Sequence, residues 1–234
     1  MVKTLLENIL RRYRQFYIFV TNLKWSALPT KLSWSHITEL LSLSNKNEID
    51  YYINRAYNTN IGYRQLHNII KNKEYERLSL DAKIKMNNNE KLKIYDMIPD
   101  PIIINSKNNT NIINEKALHN LILEDIPNFL RGLGNGFCFI DSEHPIKLGN
   151  TYNYIDLLLF NIDFNCYVVI ELKVTKLKKE HIGQIQIYMN YIDINLKKIN
   201  HNKTIGIIIC KENNKYIIKY SSDERIIARK YLIA

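Results

Sequence analysis

Glycine and proline are scarce, 7 and 5 among 234 residues, which excludes a collagen-like or linker-dominated chain. Cysteine is scarcer still. Cys138, Cys166 and Cys210 are odd in number, far apart and set in apolar surroundings, so neither a disulfide framework nor a zinc spacing can be built from them. They are expected to be reduced thiols in a cytoplasm. The six histidines show no two-ligand spacing with cysteine, which makes zinc a poor expectation. Long apolar runs are also missing. The stretch Phe16 to Val20 follows Arg11, Arg12 and Arg14, has no small-residue cleavage site after it, and falls far short of the ~20 residues that span a bilayer. A soluble protein with no membrane partner is expected.

What is present is a globular composition, 46% hydrophobic and 24% charged, with a formal net charge of +10. The charge sits at the two ends. Residues 1–80 carry 12 Lys+Arg against 6 Asp+Glu, residues 81–115 carry 5 against 5, and residues 116–234 carry 16 against 12. Two basic lobes around a neutral spacer suit a polyanionic partner, although a solvated surface explains such an excess equally well.

The first lobe reads as helical. Leu5, Leu6, Ile9, Leu10, Tyr13, Phe16 and Tyr17 recur at three- and four-residue intervals and predict a core-facing stripe. Ser33 or Ser35 is a candidate N-cap for a helix through Ile37, Leu40 and Leu41. Asn47 is one for a helix with Ile49, Tyr52, Ile53 and Ala56 on its apolar face. Gly62 then breaks the pattern before a helix over about Tyr63 to Leu78, rich in Arg64, Gln65, Asn68, Lys71 and Lys73. Short helices with tight turns fit a helix-turn-helix-like, all-α domain over 1–80; an ordinary helical bundle fits as well. Residues 81–113, with Asn87 to Asn89, Pro99, Pro101 and Asn108 to Asn111, read as a solvated linker carrying one apolar strand or anchor at Ile102 to Ile104.

Residues 114–234 read as α/β. A helix through Leu118, Leu121, Ile122, Ile126 and Phe129 is expected to end near Gly132 and Gly134. Strands follow at Phe137–Asp141, Tyr152–Phe160 and Tyr167–Val174, the first two joined by a Gly149-Asn150 turn. A helix over about Lys179 to Leu196 precedes strands at Ile205–Cys210 and Tyr216–Tyr220. The sum is a mixed sheet flanked by helices.

The chemistry lies in the third of these strands. Val168, Ile170, Leu172 and Val174 form one face, and Glu171 and Lys173 lie together on the other. An acid and an amine in so apolar a strand are costly unless they reach solvent, pair or bind an ion. Asp156 sits in a similar strand, and a hairpin around Asn161–Asn165 brings it toward Glu171. Two carboxylates and a lysine are what a Mg²⁺- or Mn²⁺-dependent phosphodiester hydrolase needs: oxygen ligands for a hard cation, and a charge for the phosphorane. The bland reading is a cross-strand salt bridge on an exposed edge. Gln184 and Tyr188, four apart on a helix, share a face and are either surface residues or point toward phosphate. Lys176 and Lys178 are placed to contact phosphate or merely to solvate a turn, and the 16 tyrosines include candidates for stacking on unpaired bases.

These residues together resemble a known family. Leu133-Gly134-Asn135-Gly136-Phe137, Tyr154-Ile155-Asp156-Leu157, Val169-Ile170-Glu171-Leu172-Lys173, Gly183-Gln184-Ile185-Gln186-Ile187-Tyr188 and Ile205-Gly206-Ile207-Ile208-Ile209-Cys210 are similar to the YhcG-like nucleases of bacteria, in the PD-(D/E)xK superfamily. Arg14-Gln15-Phe16-Tyr17, Leu32-Ser33-Trp34-Ser35-His36-Ile37, Arg64-Gln65-Leu66 and Tyr75-Glu76-Arg77-Leu78 resemble the same family's accessory domain. The resemblance implies a restriction-endonuclease-like core behind a helical, DNA-binding domain. It makes Asp156 the motif's aspartate, Glu171 its second acid and Lys173 its lysine, with Ile155 where the motif has proline. Gln184 and Tyr188 match a Gln-x-x-x-Tyr element, and Glu115, ahead of Glu124, matches the helical glutamate. Metal is expected on Asp156, Glu171 and the Leu172 carbonyl, and nucleic acid on Arg64, Gln65, Lys71, Lys176 and Lys178. The expected activity is DNA endonuclease, with RNA as an open alternative. The competing reading is a DNA-binding subunit of a restriction or recombination complex with little or no turnover. Because cutting both strands commonly uses two active sites, a homodimer is also expected.

Overall fold

The computed structural model describes residues 2–23, 32–106, 114–221 and 223–234, and the chain divides into two compact units, 1–76 and 77–234. The first is built from helices α1 (Val2–Leu23), α2 (Trp34–Leu40), α3 (Lys46–Thr59), α4 (Tyr63–Lys71) and α5 (Glu74–Arg77), the last running across the boundary. Ser33 stands at the N-cap of α2, as its sequence suggests. The cap of α3 is Asn45 rather than Asn47: its Oδ1 accepts from the N–H groups of Asn47 (3.0 Å) and Glu48 (3.5 Å), because a cap must precede the first turn. A three-residue turn with Asn60 at φ 50° joins α3 to α4. The single helix expected from Tyr63 to Leu78 is interrupted at Lys73, whose φ is 51°.

Ile37, Leu40, Ile49, Tyr52, Ile53 and Ala56 are buried, as their spacing predicts, and Leu66 of α4 is buried too. The stripe on α1 is not. Ile9, Leu10, Tyr13 and Tyr17 are exposed, Tyr17 at 70%, while the side chains of Leu5 and Leu6 lie outside the described residues. Only part of the face is covered, where Tyr13 and half-buried Phe16 each lie 5.3 Å from the Trp34 ring; periodicity marks an amphipathic face without saying how much of it finds a partner. Between α3 and α5 a buried polar cluster forms: Glu74 accepts from Arg55 Nε at 3.0 Å and from the Tyr51 hydroxyl at 2.6 Å. Removing the cation leaves a buried carboxylate short of a charge, so Arg55→Met is expected to cost about 3–5 kcal/mol, read by thermal unfolding of the full chain.

The second unit holds α6 (Leu80–Asn87), α7 (Ile94–Met97), β1 (Ile102–Ile104), α8 (Glu115–Glu124), α9 (Ile126–Leu133), β2 (Phe137–Leu148), β3 (Thr151–Asn161), β4 (Cys166–Lys176), α10 (Lys179–Asn195), β5 (Ile205–Glu212), α11 (Lys215–Lys219) and β6 (Ile226–Ile233). The sheet order is β1-β6-β5-β4-β3-β2. β2, β3 and β4 run antiparallel as a meander, and β4, β5, β6 and β1 are parallel. Residues 81–106 are therefore not a linker. Ser79 caps α6, Lys85 bridges to Asp96 at 2.8 Å, and Arg229 of β6 donates to the carbonyls of Tyr95 and Ile98. Ile94, Ile98, Ile102 and Ile104 are buried, so a few apolar anchors override the polar composition around them. The Asn108–Asn111 run lies outside the described residues.

Three further expectations are corrected. The long helix after residue 114 is two, broken at Asp125, whose carboxylate caps α9, with Pro127 in the first turn. Tyr216–Tyr220 is helical: Asn214 Oδ1 accepts from the N–H groups of Tyr216 and Ile217 and starts α11. The last strand is instead β6, concealed in the sequence by Arg229 and Lys230 interrupting its apolar run. The Gly149-Asn150 turn is where the sequence places it, with Gly149 at φ 61°.

Cores lie on both faces of the sheet. Val168, Ile170 and Leu172 of β4 pack in a cluster with Leu118, Leu121, Ile122, Phe129 and Leu133 of α8 and α9. Val169 belongs to the other cluster, with Ile185, Tyr188, Met189 and Ile192 of α10. Helix α10 lies so close to β5 that a Cβ on Gly206 would fall 2.5 Å from Met189 Sδ and 2.9 Å from Ile185 Cδ1. This glycine sets the depth of α10, and with it the position of the side chains described next.

Candidate active site

Pairing between β3 and β4 runs from Asn161↔Cys166 to Leu157↔Ile170 and stops. The next pair would be Asp156 with Glu171. Instead Asp156 Oδ2 accepts the Leu172 N–H at 2.7 Å, a side chain taking over a backbone role where the strands part. Across from Asp156, on β2, Glu143 adopts φ 50° between the pairs Ser142↔Leu157 and His144↔Ile155. On the other side, His119 Nε2 lies 3.1 Å from the Asp156 carbonyl oxygen. A carbonyl only accepts, so the Nε2 proton of His119 donates to it.

Glu171 is 2% exposed. Its Oε1 accepts from Lys173 Nζ at 3.2 Å and from Gln184 Nε2 at 3.0 Å. Its Oε2 is buried without a hydrogen-bond partner. Lys173 Nζ also reaches Glu115 Oε2 at 3.3 Å, and Gln184 Nε2 donates to the Tyr188 hydroxyl at 3.1 Å. The structure thus gathers Asp156, Glu171, Lys173, Glu115, Gln184 and Tyr188 from β3, β4, α8 and α10. Glu124 is exposed at the opposite end of α8 from Glu115.

Burial, and then the charge of Asp156, pushes the Glu171 carboxyl up to about 8 against the pull of Lys173. Burial raises Asp156 too, opposed by the Leu172 N–H and Lys173. Burial alone would lower Lys173, but Glu171 and Glu115 outweigh it and hold the amine charged. Two neighbouring carboxylates, one of them with a buried oxygen lacking a hydrogen-bond partner, leave a deficit that a cation would fill. No group of three His, Cys, Asp or Glu side chains among the described residues is arranged to hold a metal. The donor set fits a hard ion held by one or two carboxylates, with water and phosphate completing the shell.

His119 and His181 enter the sequence reading only as histidines without zinc-ligand spacing, not as neighbours of this site. His119 is one turn on from Glu115 along α8, and His181 is three residues before Gln184 on α10, so helical spacing from the two expected partners was the available signal. His181 Nδ1 accepts the Lys178 N–H at 3.2 Å. Burial, then Lys173, holds its imidazole below the usual range. The basic candidates behave differently. Lys176 at the end of β4 and Lys178 just before α10 are exposed, and Arg64 and Lys71 are exposed on α4 in the first unit. Gln65 Oε1 accepts the Gly62 N–H at 3.2 Å, capping α4.

The profile of the YhcG PDDEXK nuclease domain matches residues 95–233, and that of the DUF1016 N-terminal domain matches residues 3–77. The chain is 24% identical over 197 residues to "Putative nuclease YhcG" of Escherichia coli (strain K12), covering 80% of this chain and 52% of that one. It thus spans about half the length of that relative. Among solved structures it is similar to a repair endonuclease from Pyrococcus abyssi, with TM-score 0.36, 24% identity, and 53% and 49% of the two chains covered. It is also similar to the EndoMS-dsDNA2 complex, with TM-score 0.38, 19% identity, and 53% and 48% covered.

Proposed function

This chain belongs to the YhcG-like family of PD-(D/E)xK nucleases, and from that premise we propose that it is a metal-dependent DNA endonuclease. The observation that carries the proposal is the buried Glu171, its Oε2 unpaired, beside Asp156 and the charged Lys173. Asp156 and Glu171 would hold the ion, with the Leu172 carbonyl as a further oxygen; Mg²⁺ or Mn²⁺ fits such a set. A divalent cation bound there supplies charge neutralisation at the phosphate and acidifies water.

The chain's own residues do the rest. Lys173 presents its ammonium to charge building on the phosphorane, and Glu115 and Glu171 hold that ammonium in place. Gln184 fixes Glu171 by its Oε1, leaving Oε2 directed elsewhere, and Tyr188 in turn fixes Gln184. Exposed Lys176 and Lys178, a few residues past Lys173 in the chain, and in the first unit Arg64, Gln65 and Lys71 of α4, are the residues offered to substrate phosphates. No helix among the described residues is long and apolar enough to cross a membrane. Three free thiols, Cys138 exposed, support work in the reducing cytoplasm. Two copies, one per strand, would complete a double-strand cut.

The test is cleavage of supercoiled plasmid by wild type and Asp156→Ala, with Mg²⁺, with Mn²⁺ and with excess chelator. Nicked and linear product is expected from wild type with metal only. Equal cleavage in chelator sinks the mechanism. DNA binding without turnover across plasmid, branched DNA and RNA substrates instead favours a non-catalytic subunit.

A further inference from the structure

β3 pairs with β4 only from Leu157 onward, whereas its pairing with β2 continues to Leu148↔Thr151. Residues 144–155 therefore form a two-stranded ribbon beyond the edge of β4, with Asp156 at its base. Register separates its faces. Ile146 and Ile155 turn to one side and are buried in the cluster that includes α10. Pro145, Lys147, Tyr152 and Tyr154 share the other, as the pairs Pro145↔Tyr154 and Lys147↔Tyr152. On that face Tyr152 is 59% and Tyr154 56% exposed, and Lys147 Nζ lies 5.8 Å from the centroid of the Tyr152 ring. Residues 144–155 contain no Asp or Glu, in a chain that has 23.

From these features we infer that the Tyr152–Tyr154 face of the ribbon is a stacking platform for unpaired nucleotides next to the scissile phosphate. The inference rests on the nuclease reading and gives that reading a substrate class: DNA with a single-stranded tail, flap or gap at the cut. Strand geometry puts Tyr154 about 7 Å and Tyr152 about 13 Å along β3 from Asp156. A nucleic-acid strand seated at the carboxylates would run its adjacent nucleotides past these rings. Exposed aromatic faces bind bases that have left a stack, and they do so irrespective of sequence. A surface for duplex backbone would instead be studded with Lys and Arg. This face has one cation, no repulsive carboxylate and two rings.

The test is binding in chelator, so that no cleavage is needed, using the full chain and two fluorescein-labelled probes: an oligo(dT) strand and a blunt duplex. Stacking is worth about 5- to 150-fold in affinity per base. Tyr152→Ala/Tyr154→Ala is therefore expected to weaken oligo(dT) binding at least 10-fold and to leave the duplex within twofold. Tyr152→Phe/Tyr154→Phe, which keeps both rings, should match wild type on both probes. An unchanged oligo(dT) affinity, or an equal loss on both probes, overturns the inference. So does a fall in the sedimenting mass of the Ala variant without DNA, because the face would then belong to a second copy of the chain. Wild type that cleaves plasmid while the Ala variant binds oligo(dT) normally sinks this inference alone. Ring-dependent binding by a chain that never cleaves sinks the nuclease reading and leaves the platform standing.

Discussion

Lys173→Met is expected to slow single-turnover cleavage by about 10²–10³-fold while changing metal-free DNA affinity by less than about twofold. The two effects separate because of where the ammonium lies. At 7% exposure, between Glu171 and Glu115, it is poorly placed for ground-state contact with a long polyanion, yet it is held beside the carboxylates that define the reacting centre. Methionine keeps the length and apolar stem of the side chain, so the change is one of charge. Loss of the cation also removes the charge that pulls Glu171 toward ionisation, and the Glu171 carboxyl should rise further. A variant that retains its rate to within threefold would assign Lys173 to structure alone.

Glu171→Gln is expected to stabilise the metal-free protein, and to do so only above mildly acidic pH. Because the folded-state pKa of Glu171 is raised from 4.5 to about 8, the native state holds this proton more tightly than the unfolded chain. Stability is therefore lost as pH rises through that window and levels off above it. Asp156 is shifted the same way and adds to the slope. Glutamine mimics the protonated acid, keeps an oxygen for Lys173 and Gln184, and has no charge to desolvate. In chelator the two proteins should melt together near pH 5. Near pH 8.5 the variant should be more stable by about 2–5 kcal/mol, or about 5–15 °C for a chain of this length. Divalent cation should narrow the gap by stabilising wild type, since a ligand that binds only the native state adds to its stability. Differential scanning calorimetry against pH decides it; a melting difference that does not vary with pH would show that Glu171 ionises without strain. On the proposed function, a residue that destabilises its own fold at working pH is the stability–function trade-off expected of an active site.

Much of this centre was legible before any coordinates. Period-two alternation placed Glu171 and Lys173 on one face of β4, the short loop after Asn161 brought Asp156 to the same end, and the i,i+4 spacing put Gln184 and Tyr188 together. Each of these is a local rule of strand or helix geometry. The failures share a cause as well. The stripe on α1 was read as core because periodicity reports a face and not its partner. β6 was missed because Arg229 breaks its apolar run in order to donate to the carbonyls of Tyr95 and Ile98, over 130 residues earlier in the chain. Residues 81–106 passed for a linker because their anchoring isoleucines are outnumbered by Asn and Lys. The contacts of His119 and His181 are hidden from the sequence because they depend on which helix end meets which strand.

From its amino acids alone, this chain settles its two-part composition, its α/β second half and the strand and helix faces that carry Glu171 with Lys173 and Gln184 with Tyr188, since covalent spacing and backbone periodicity decide those. Only the tertiary structure could decide that β3 and β4 part at Asp156, that Gln184 and Lys173 both donate to Glu171 Oε1 while Oε2 goes unpaired, and that Glu115 closes on Lys173. Desolvation and charge coupling act through space, between groups as far as 58 positions apart in the chain. No window of sequence contains them.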